Sequence, residues 1–353
     1  MTIVVIYSIE SKITTISNYF LRSNNMEKVI NPINFDPPIK GYLGYAIPLS
    51  IVFAHDDSYL PSLYNNYIMP ISKKDFSTFE QADNDWMLQR EGVFKVNTMV
   101  LPKYLLQSRD AILELMFRLI ENKSYILTKS NEYYIPDRNA YKAFNFDHEN
   151  LVYGFDMGKQ QFNIASYKSD GYYGGSLINF DEYFDALKYN EFTDFTFNIF
   201  TRVPDYKAQF DIEKCSSYLR DYLSGSNRKY DLSQDKYCFG IDAVKNLYFY
   251  IEHIKGTEKE LDVRYFYFLW EHKKLMHDRI KYMTENGYVK GNLNLYDEYA
   301  QAVNDSEMIK NLLLKYNIKH DINILLRMQN LLCSVIQNDE NTIGQLLENI
   351  VDK

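Results

Sequence analysis

The 353-residue chain has only three cysteines, and they lie far apart. Cys215, Cys238 and Cys333 have neither the close spacing of a zinc site nor the density of a disulfide framework. An odd, sparse set of thiols is typical of a reducing compartment. The sequence therefore predicts a cytoplasmic protein without a structural metal.

Long apolar runs and an excess of basic residues are also missing. No segment approaches the roughly 20 apolar residues of a membrane span, and the apolar run in "MTIVVIYSIESK" is too short for a secretion signal. The net charge is -8, whereas a surface that binds nucleic acid is basic. We therefore expect neither a membrane nor a nucleic acid as the main partner.

Apolar periodicity divides the chain into a mixed front part and a helical back part. Helices are predicted to begin near Ser108 and Asn179, and after residue 205 four or five amphipathic helices follow. The sequence predicts an α+β fold, with helices packed on a small antiparallel sheet over residues 1–205 and an all-helical domain over residues 206–353. Predicted strands cover residues 124–129, 151–156, 162–167 and 195–203. The Gly-rich stretch "DGYYGGS" (170–176) is predicted as a turn, because it lacks the spacing of a phosphate loop.

A histidine opens the strand in "FDHENLVYGFD" (146–156), and this strand ends in a Gly-aromatic-Asp turn. A Pro-rich entry, "NPINFDPPIKGY", precedes it, and a second strand and a helix, "INFDEYFDAL", follow it. This order resembles papain-like proteins of the bacterial type, among them bacteriocin leader peptidases and the N-terminal domain of a butirosin biosynthesis protein. The stretch "LWEHKKLMHDRIKYM" resembles proteins encoded near nonribosomal peptide and polyketide genes. This broad group of proteins includes closthioamide-type amide synthetases.

The resemblance implies a cysteine thiolate at the start of a helix, with a histidine as its base. It places the base at His148 and the cysteine slot at Gly44 or Ala46, and neither slot residue is a nucleophile. The third catalytic position falls on "FNIASY", which offers Ser166 but no carboxylate. Three explanations stay open: a natural non-catalytic chain, a different nucleophile, or an inactivating substitution at the slot.

Other residues are candidates for the missing nucleophile. Tyr45 and Ser50 lie close to the slot, and a cysteine of the helical part is a further candidate. Cys238, in "YCFG", has the least regular sequence context of the three cysteines and is the best reserve nucleophile among them. The simpler explanation for all three thiols is that they are buried small apolar side chains.

Aromatic and basic side chains are the candidates for binding. Tyr45, Tyr153 and Tyr167 are predicted to contact the substrate. Lys273 and Lys274 are predicted to receive the acidic face of an acyl or peptidyl carrier protein, or the phosphate of its phosphopantetheine arm. The alternative for the two lysines is an ordinary solvated helix face with pairs to neighbouring acids.

Two other interpretations of the histidines were weighed. His148 beside two acidic residues is by itself an ordinary solvated histidine. "HENLV" begins like a zinc-peptidase helix but has Val152 where the second histidine belongs. A cation site from His148, His55, Asp56 and Asp57 is the weakest interpretation, because nothing in the sequence brings these residues together.

The resemblance leads to one main function and two alternatives. The main one is acyl transfer or amide-bond formation from a carrier-protein thioester to a small amine, with His148 as general base and no cofactor apart from the phosphopantetheine arm. The first alternative is a non-catalytic papain-like binding or scaffold protein that has lost the cysteine. The second is a leader peptidase, which needs the same absent thiol. Substrate identity and oligomeric state are left open.

Overall fold

The computed structural model describes residues 27–55, 59–82, 92–203, 206–291 and 294–351. Within these ranges the chain is a mixed α+β protein, in which an antiparallel sheet is followed by long helices. The predicted fold class is confirmed at this level. In the same ranges, no helix has both the length and the apolar composition needed to cross a bilayer.

The strands of the described ranges form two antiparallel sheets. They are β1 (Lys28–Ile30), β2 (Pro70–Lys73), β3 (Phe79–Gln81), β4 (Phe94–Pro102), β5 (Ser124–Asn131), β6 (Asp147–Asp156), β7 (Gln161–Tyr167), β8 (Tyr173–Asn179), β9 (Asp194–Arg202) and β10 (Tyr237–Phe239). The large sheet has the order β4-β9-β5-β6-β7-β8, and β1 pairs with the far end of β6. The small sheet has the order β10-β2-β3.

The helices are concentrated after the large sheet. They are α1 (Leu43–Val52), α2 (Leu60–Asn65), α3 (Arg109–Glu121), α4 (Phe180–Lys188), α5 (Ile212–Ser224), α6 (Gly240–Ile254), α7 (Val263–Glu285), α8 (Leu295–Lys319), α9 (Ile322–Asn338) and α10 (Gly344–Glu348). A 3-10 turn at Glu132–Tyr134 follows β5, and a π-helical segment at Asp339–Ile343 separates α9 from α10.

The large sheet is covered on both faces. Side chains alternate along a strand, so successive residues point to opposite faces. On one face Ile126 and Val152 pack with residues of α3 and α4. On the other face Tyr125 and Leu151 pack with residues of α1. Burial on both sides explains the nearly continuous apolar runs of β5 and β6, because neither face needs to be polar.

The turn predicted at residues 170–176 is confirmed for 170–172, between β7 and β8, but residues 173–176 belong to strand β8. The glycines there lower β-propensity, but Gly175 lies beneath a ring and has no room for a side chain. A Cβ on Gly175 would lie 2.8 Å from the Phe35 ring and 3.1 Å from the Tyr153 hydroxyl. A glycine inside a strand often marks such a close approach.

Contacts cross the predicted domain boundary at residue 205. Strand β10 pairs with β2, with Cys238 opposite Ser72. The buried Arg279 of α7 donates hydrogen bonds to the carbonyl oxygens of Tyr64 and Asn66. The boundary itself stays a prediction, but the helical part and the residues between α1 and β3 share a core.

Candidate functional site

His148 lies at the start of β6, at the end of the large sheet where β5 and β7 finish. Its Nδ1 is 3.1 Å from Oε1 of Glu132, which follows β5 in the 3-10 turn. The His148 side chain is 32% exposed and that of Glu132 is 7% exposed. An ionised Glu132 accepts the Nδ1–H, and this hydrogen bond selects the tautomer whose Nε2 carries a lone pair.

The Glu132 carboxylate is held in place by a buried arginine. Arg138 Nε lies 3.6 Å from Glu132 Oε1, and other nitrogens of Arg138 donate to Asn150 Oδ1 at 3.2 Å and Ser176 Oγ at 3.1 Å. Burial lowers the pKa of Arg138 from its ordinary value, and the nearby carboxylates of Glu132 and Asp137 oppose this effect. The Arg138 guanidinium therefore links the 3-10 turn at Glu132–Tyr134 to β6 through Asn150 and to β8 through Ser176.

The second ring nitrogen of His148 is open. Nε2 has no hydrogen-bond partner among the described residues, and it is not one of the buried unpaired atoms. The rings of Phe146 and Tyr167 flank the imidazole, with centroids 5.2 Å and 6.3 Å away. An imidazole with one nitrogen on a carboxylate and the other facing solvent is suited to take a proton from a bound ligand.

Among the described residues, no hydrogen bond or ring contact joins His148 to Gly44 or Ala46. The His148 side chain contacts Glu132, Phe146 and Tyr167. Tyr167 packs on the core that α1 forms with the sheet and donates to the Lys40 carbonyl, just before α1. Ala46 is 0% exposed, so a thiol at this position would be enclosed by the core. The catalytic roles of these residues stay predictions.

The carboxylate that sequence reasoning missed comes from upstream of the histidine. Ser166, the residue noted on β7, is buried, and its hydroxyl donates to the Glu149 carbonyl at 2.8 Å. Glu132 reaches His148 because β5 and β6 pair with Ser130 opposite His148. The only sequence signal for Glu132 is an acidic residue three positions after the predicted strand at 124–129.

The three candidate tyrosines belong to the core that α1 forms with the sheet, in which Tyr45 and Tyr153 are buried and Tyr167 is half-buried. Tyr45 donates its hydroxyl hydrogen bond to the Gln81 carbonyl at 2.8 Å, and Tyr167 donates to the Lys40 carbonyl at 2.8 Å. Burial raises the pKa of Tyr153 and Tyr167 above the ordinary value. The hydroxyls of Tyr45 and Tyr167 therefore stabilise the fold by bonding to backbone carbonyls. The role of the three tyrosines in substrate binding stays a prediction.

The two candidate lysines have different surroundings. Lys273 cannot meet a carrier protein in this structure, because its side chain is fully buried and its Nζ donates to Asp339 Oδ2 at 2.6 Å and to the Tyr222 hydroxyl at 2.8 Å. Burial lowers the pKa of Lys273, and Asp339 opposes this effect. Lys274 is exposed, with Nζ 4.7 Å from the centroid of the Trp270 ring.

The reserve nucleophiles do not contact His148 within the described part of the chain. Cys215 is buried, and burial raises the pKa of its thiol to about 11. Cys238 is half-buried in β10, and burial raises its pKa as well. Cys333 is exposed on α9. The Ser50 hydroxyl is enclosed in the core, 2.9 Å from the hydroxyl of Tyr173.

A metal centre has no support in the residues that the structure describes. Among them, no group of three or more His, Cys, Asp or Glu side chains is placed to hold a metal ion. Asp56 and Asp57 of the candidate site with His55 lie outside the described residues.

A scan against protein-family models finds no match, and a search of the curated proteins finds none either. The class of protein is therefore defined by the fold and the site alone. It is an α+β protein with a carboxylate-oriented histidine at one end of an antiparallel sheet.

Proposed function

We propose that the chain transfers an acyl group from a carrier-protein thioester to a small amine, with His148 as the general base. The observation that carries the proposal is the Glu132–His148 pair, in which Nδ1 is engaged and Nε2 is open. The proposal includes a papain-like origin of the sheet, supported by a strand that begins at His148 and ends at Gly154, Phe155 and Asp156. It also includes a cytoplasmic location.

Direct attack of the amine removes the need for a cysteine. A thioester is already activated, so the neutral amine nitrogen attacks its carbonyl carbon and forms the C–N bond. His148 Nε2 takes a proton from that nitrogen, and Glu132 stabilises the resulting imidazolium. The C–S bond then breaks, and the imidazolium returns the proton to the departing thiolate. The products are an amide and the free thiol of the phosphopantetheine arm.

Lys274 is the candidate contact for the phosphate of that arm. Lys310 Nζ lies 3.4 Å from the centroid of the Trp270 ring, the same ring that Lys274 approaches. Two ammonium groups on one indole form a local positive spot, although Glu307 lies 3.6 Å from Lys310 Nζ. A phosphate is attracted to such a spot, and the attraction weakens with added salt.

Turnover of a simple thioester tests the proposal. The full chain is mixed with octanoyl N-acetylcysteamine and phenethylamine, and the amide is measured by mass spectrometry. We expect His148→Ala to slow amide formation by roughly a hundredfold or more, because general-base catalysis contributes about that much. His277→Ala is the matched control, since this partly exposed histidine on α7 pairs with its neighbour Asp278 and packs against the Tyr296 ring, with no contact to Glu132 or His148 among the described residues. Equal rates for His148→Ala and the parent would refute the proposal.

Glu132 has a positioning role in this scheme. Glu132→Gln removes the charge that stabilises the imidazolium but leaves the ligand surface unchanged, so kcat falls while KM is retained. Glu132→Asp keeps the charge and should recover part of kcat. A loss of kcat that Asp does not recover at all, or a change in KM alone, would contradict this role.

A non-catalytic binding protein is the second candidate. The observations in its favour are the enclosed position of Ala46 and the burial of the Cys215 thiol. This candidate predicts ligand binding without amide formation. Turnover that depends on His148 removes it.

A further inference from the structure

Two polar side chains next to His148 contain buried atoms without a partner. Asn190 is 4% exposed, and neither its Nδ2 nor its Oδ1 has a hydrogen-bond partner in the described part of the chain. Asp147 Oδ2 accepts the backbone N–H of Glu191 at 2.7 Å, but Asp147 Oδ1 is enclosed and unpaired among the same residues. An unsatisfied buried polar group costs about 1–3 kcal/mol, so such atoms indicate a missing partner.

These atoms belong to two loops that are held side by side. Asn131, at the end of β5, donates from Nδ2 to Asn145 Oδ1 at 3.0 Å and to the Tyr189 carbonyl at 3.0 Å. Its Oδ1 accepts the backbone N–H of Phe146 at 3.2 Å. The loop before β6 and the loop after α4 therefore form one surface around the start of β6.

Exposed aromatic side chains cover this surface. Four of them, between 43% and 54% exposed, are Phe144, Phe146, Tyr189 and Phe192, and we call this set the aromatic rim. The Phe146 ring lies 5.2 Å from the His148 ring and 6.5 Å from the Phe144 ring. A concentration of exposed apolar side chains beside a polar site marks a binding surface.

Acidic and basic side chains around the rim are balanced in number. Three carboxylates form no ion pair within the described ranges: those of Asp147, Glu149 and Glu191. Three lysines oppose them: Lys103 donates to carbonyl oxygens of the loop after α4, and Lys129 and Lys188 lie 5.5 Å and 5.1 Å from the centroids of rim rings. The feature that favours a cation is the enclosed and unpaired Oδ1 of Asp147, because a carboxylate attracts an ammonium group.

We infer that this end of the sheet binds a primary amine with an apolar body, its nitrogen at Asp147 and Asn190 and its body on the aromatic rim. The inference rests on the proposed function and deepens it, because it names the class of the acyl acceptor. The nitrogen binds as an ammonium that donates to Asp147 Oδ1 and Asn190 Oδ1, and it gives one proton to solvent before the neutral amine attacks the thioester. Asp147 directly precedes the base His148 in β6. Since both oxygens are enclosed, binding includes a local movement of side chains.

Direct binding tests the inference without any turnover. Phenethylamine and 3-phenylpropionate have similar bodies and opposite charges, and each is titrated into the full chain by calorimetry. We expect the amine to bind at least about ten times more tightly than the carboxylate, which corresponds to about 1.4 kcal/mol. Equal affinity, or tighter binding of the carboxylate, overturns the inference.

Matched variants locate the site. Asp147→Asn keeps an acceptor for the Glu191 N–H but removes the charge, so affinity for phenethylamine falls about tenfold. Asp235→Asn, at an exposed position in the turn before β10, leaves affinity unchanged. An Asp147→Asn variant that folds and binds like the parent overturns the inference.

A second variant decides the matter if Asp147→Asn does not fold. Phe146→Ala removes part of the aromatic rim and weakens phenethylamine binding about fivefold or more, an estimate from aromatic contact energies. Phe249→Ala removes an exposed ring of α6, 59% exposed against 47% for Phe146, and has no effect. Unchanged binding by Phe146→Ala overturns the inference.

The two proposals fail in different ways. Charge-selective binding of phenethylamine without His148-dependent turnover keeps the amine site and removes the acyl transfer. His148-dependent turnover without charge-selective binding keeps the acyl transfer and removes the amine site.

Discussion

Glu271 gives the most quantitative prediction, because it is a buried acid that joins two parts of the fold. It lies on α7 and is 2% exposed. Its Oε1 accepts the N–H of Lys40 at 2.8 Å and its Oε2 accepts the N–H of Gly41 at 2.9 Å, just before α1. Burial raises the pKa of Glu271 to about 7, and the two backbone N–H groups, Lys40 and Lys274 oppose this effect.

The magnitude follows from the difference between the two states. A pKa of about 7 in the folded state against 4.5 for an unperturbed glutamate is about 2.5 units, or at most about 3 kcal/mol. The folded state holds the proton more tightly, so the stability that Glu271 contributes is complete below pH 4.5 and is lost as the pH rises to about 7. Between pH 5.5 and 8 the expected loss is about 2 kcal/mol.

Glu271→Gln is the test, because glutamine does not titrate. Urea unfolding of the full chain is followed by circular dichroism from pH 5.5 to 8. The free energy of unfolding of the parent should fall by about 2 kcal/mol more than that of the variant over this range. Comparing the two proteins cancels other groups, including His272, whose pKa is lowered by burial and whose contribution has the opposite sign. Glu258→Gln, at an exposed position, should behave like the parent. Parallel pH profiles of the parent and Glu271→Gln would refute the reasoning.

Three further predictions concern buried groups and thiols. Lys273→Met leaves the Asp339 carboxylate buried without its cation, so the free energy of unfolding should fall by about 3–5 kcal/mol. Adding Asp339→Asn should recover part of this loss, and urea unfolding measures both effects. Equal stability of the parent and of Lys273→Met would contradict the pairing. Cys333 should react with a disulfide reagent in the folded protein, whereas Cys215, buried and with a raised pKa, should react only on unfolding; the order of labelling under native conditions is the measurement. Ala46→Cys should add no rapidly reacting thiol, because this position is enclosed; a fast extra label would contradict its burial.

Local patterns were sufficient for much of the fold. The apolar stripe after Ser108 predicted α3, and the structure has it at Arg109–Glu121. The runs at 151–156 and 162–167 predicted strands, and β6 and β7 contain both. The turn predicted at 170–176 holds for 170–172 but is wrong for 173–176, where Gly175 makes a close contact with Phe35, a residue far away in the sequence.

The site was less accessible to sequence reasoning. His148 was a candidate from its place before a strand, but its partner Glu132 depends on the pairing of β5 with β6. Lys273 and Lys274 are adjacent and alike in sequence, yet one is buried against Asp339 and the other is exposed. A helix turns about 100° per residue, so neighbours face different surroundings, and only packing decides which side is covered.

The sequence by itself determined the class of fold, the main helices and several strands, because apolar periodicity and turn residues act over a few positions along the chain. Only the tertiary structure decided that His148 pairs with Glu132, and that Asp147 Oδ1 and the Asn190 amide are enclosed without a partner among the described residues. Those relations depend on strand register and on which face of the sheet each helix covers. A shift of one residue in register would move every side chain of a strand to the other face.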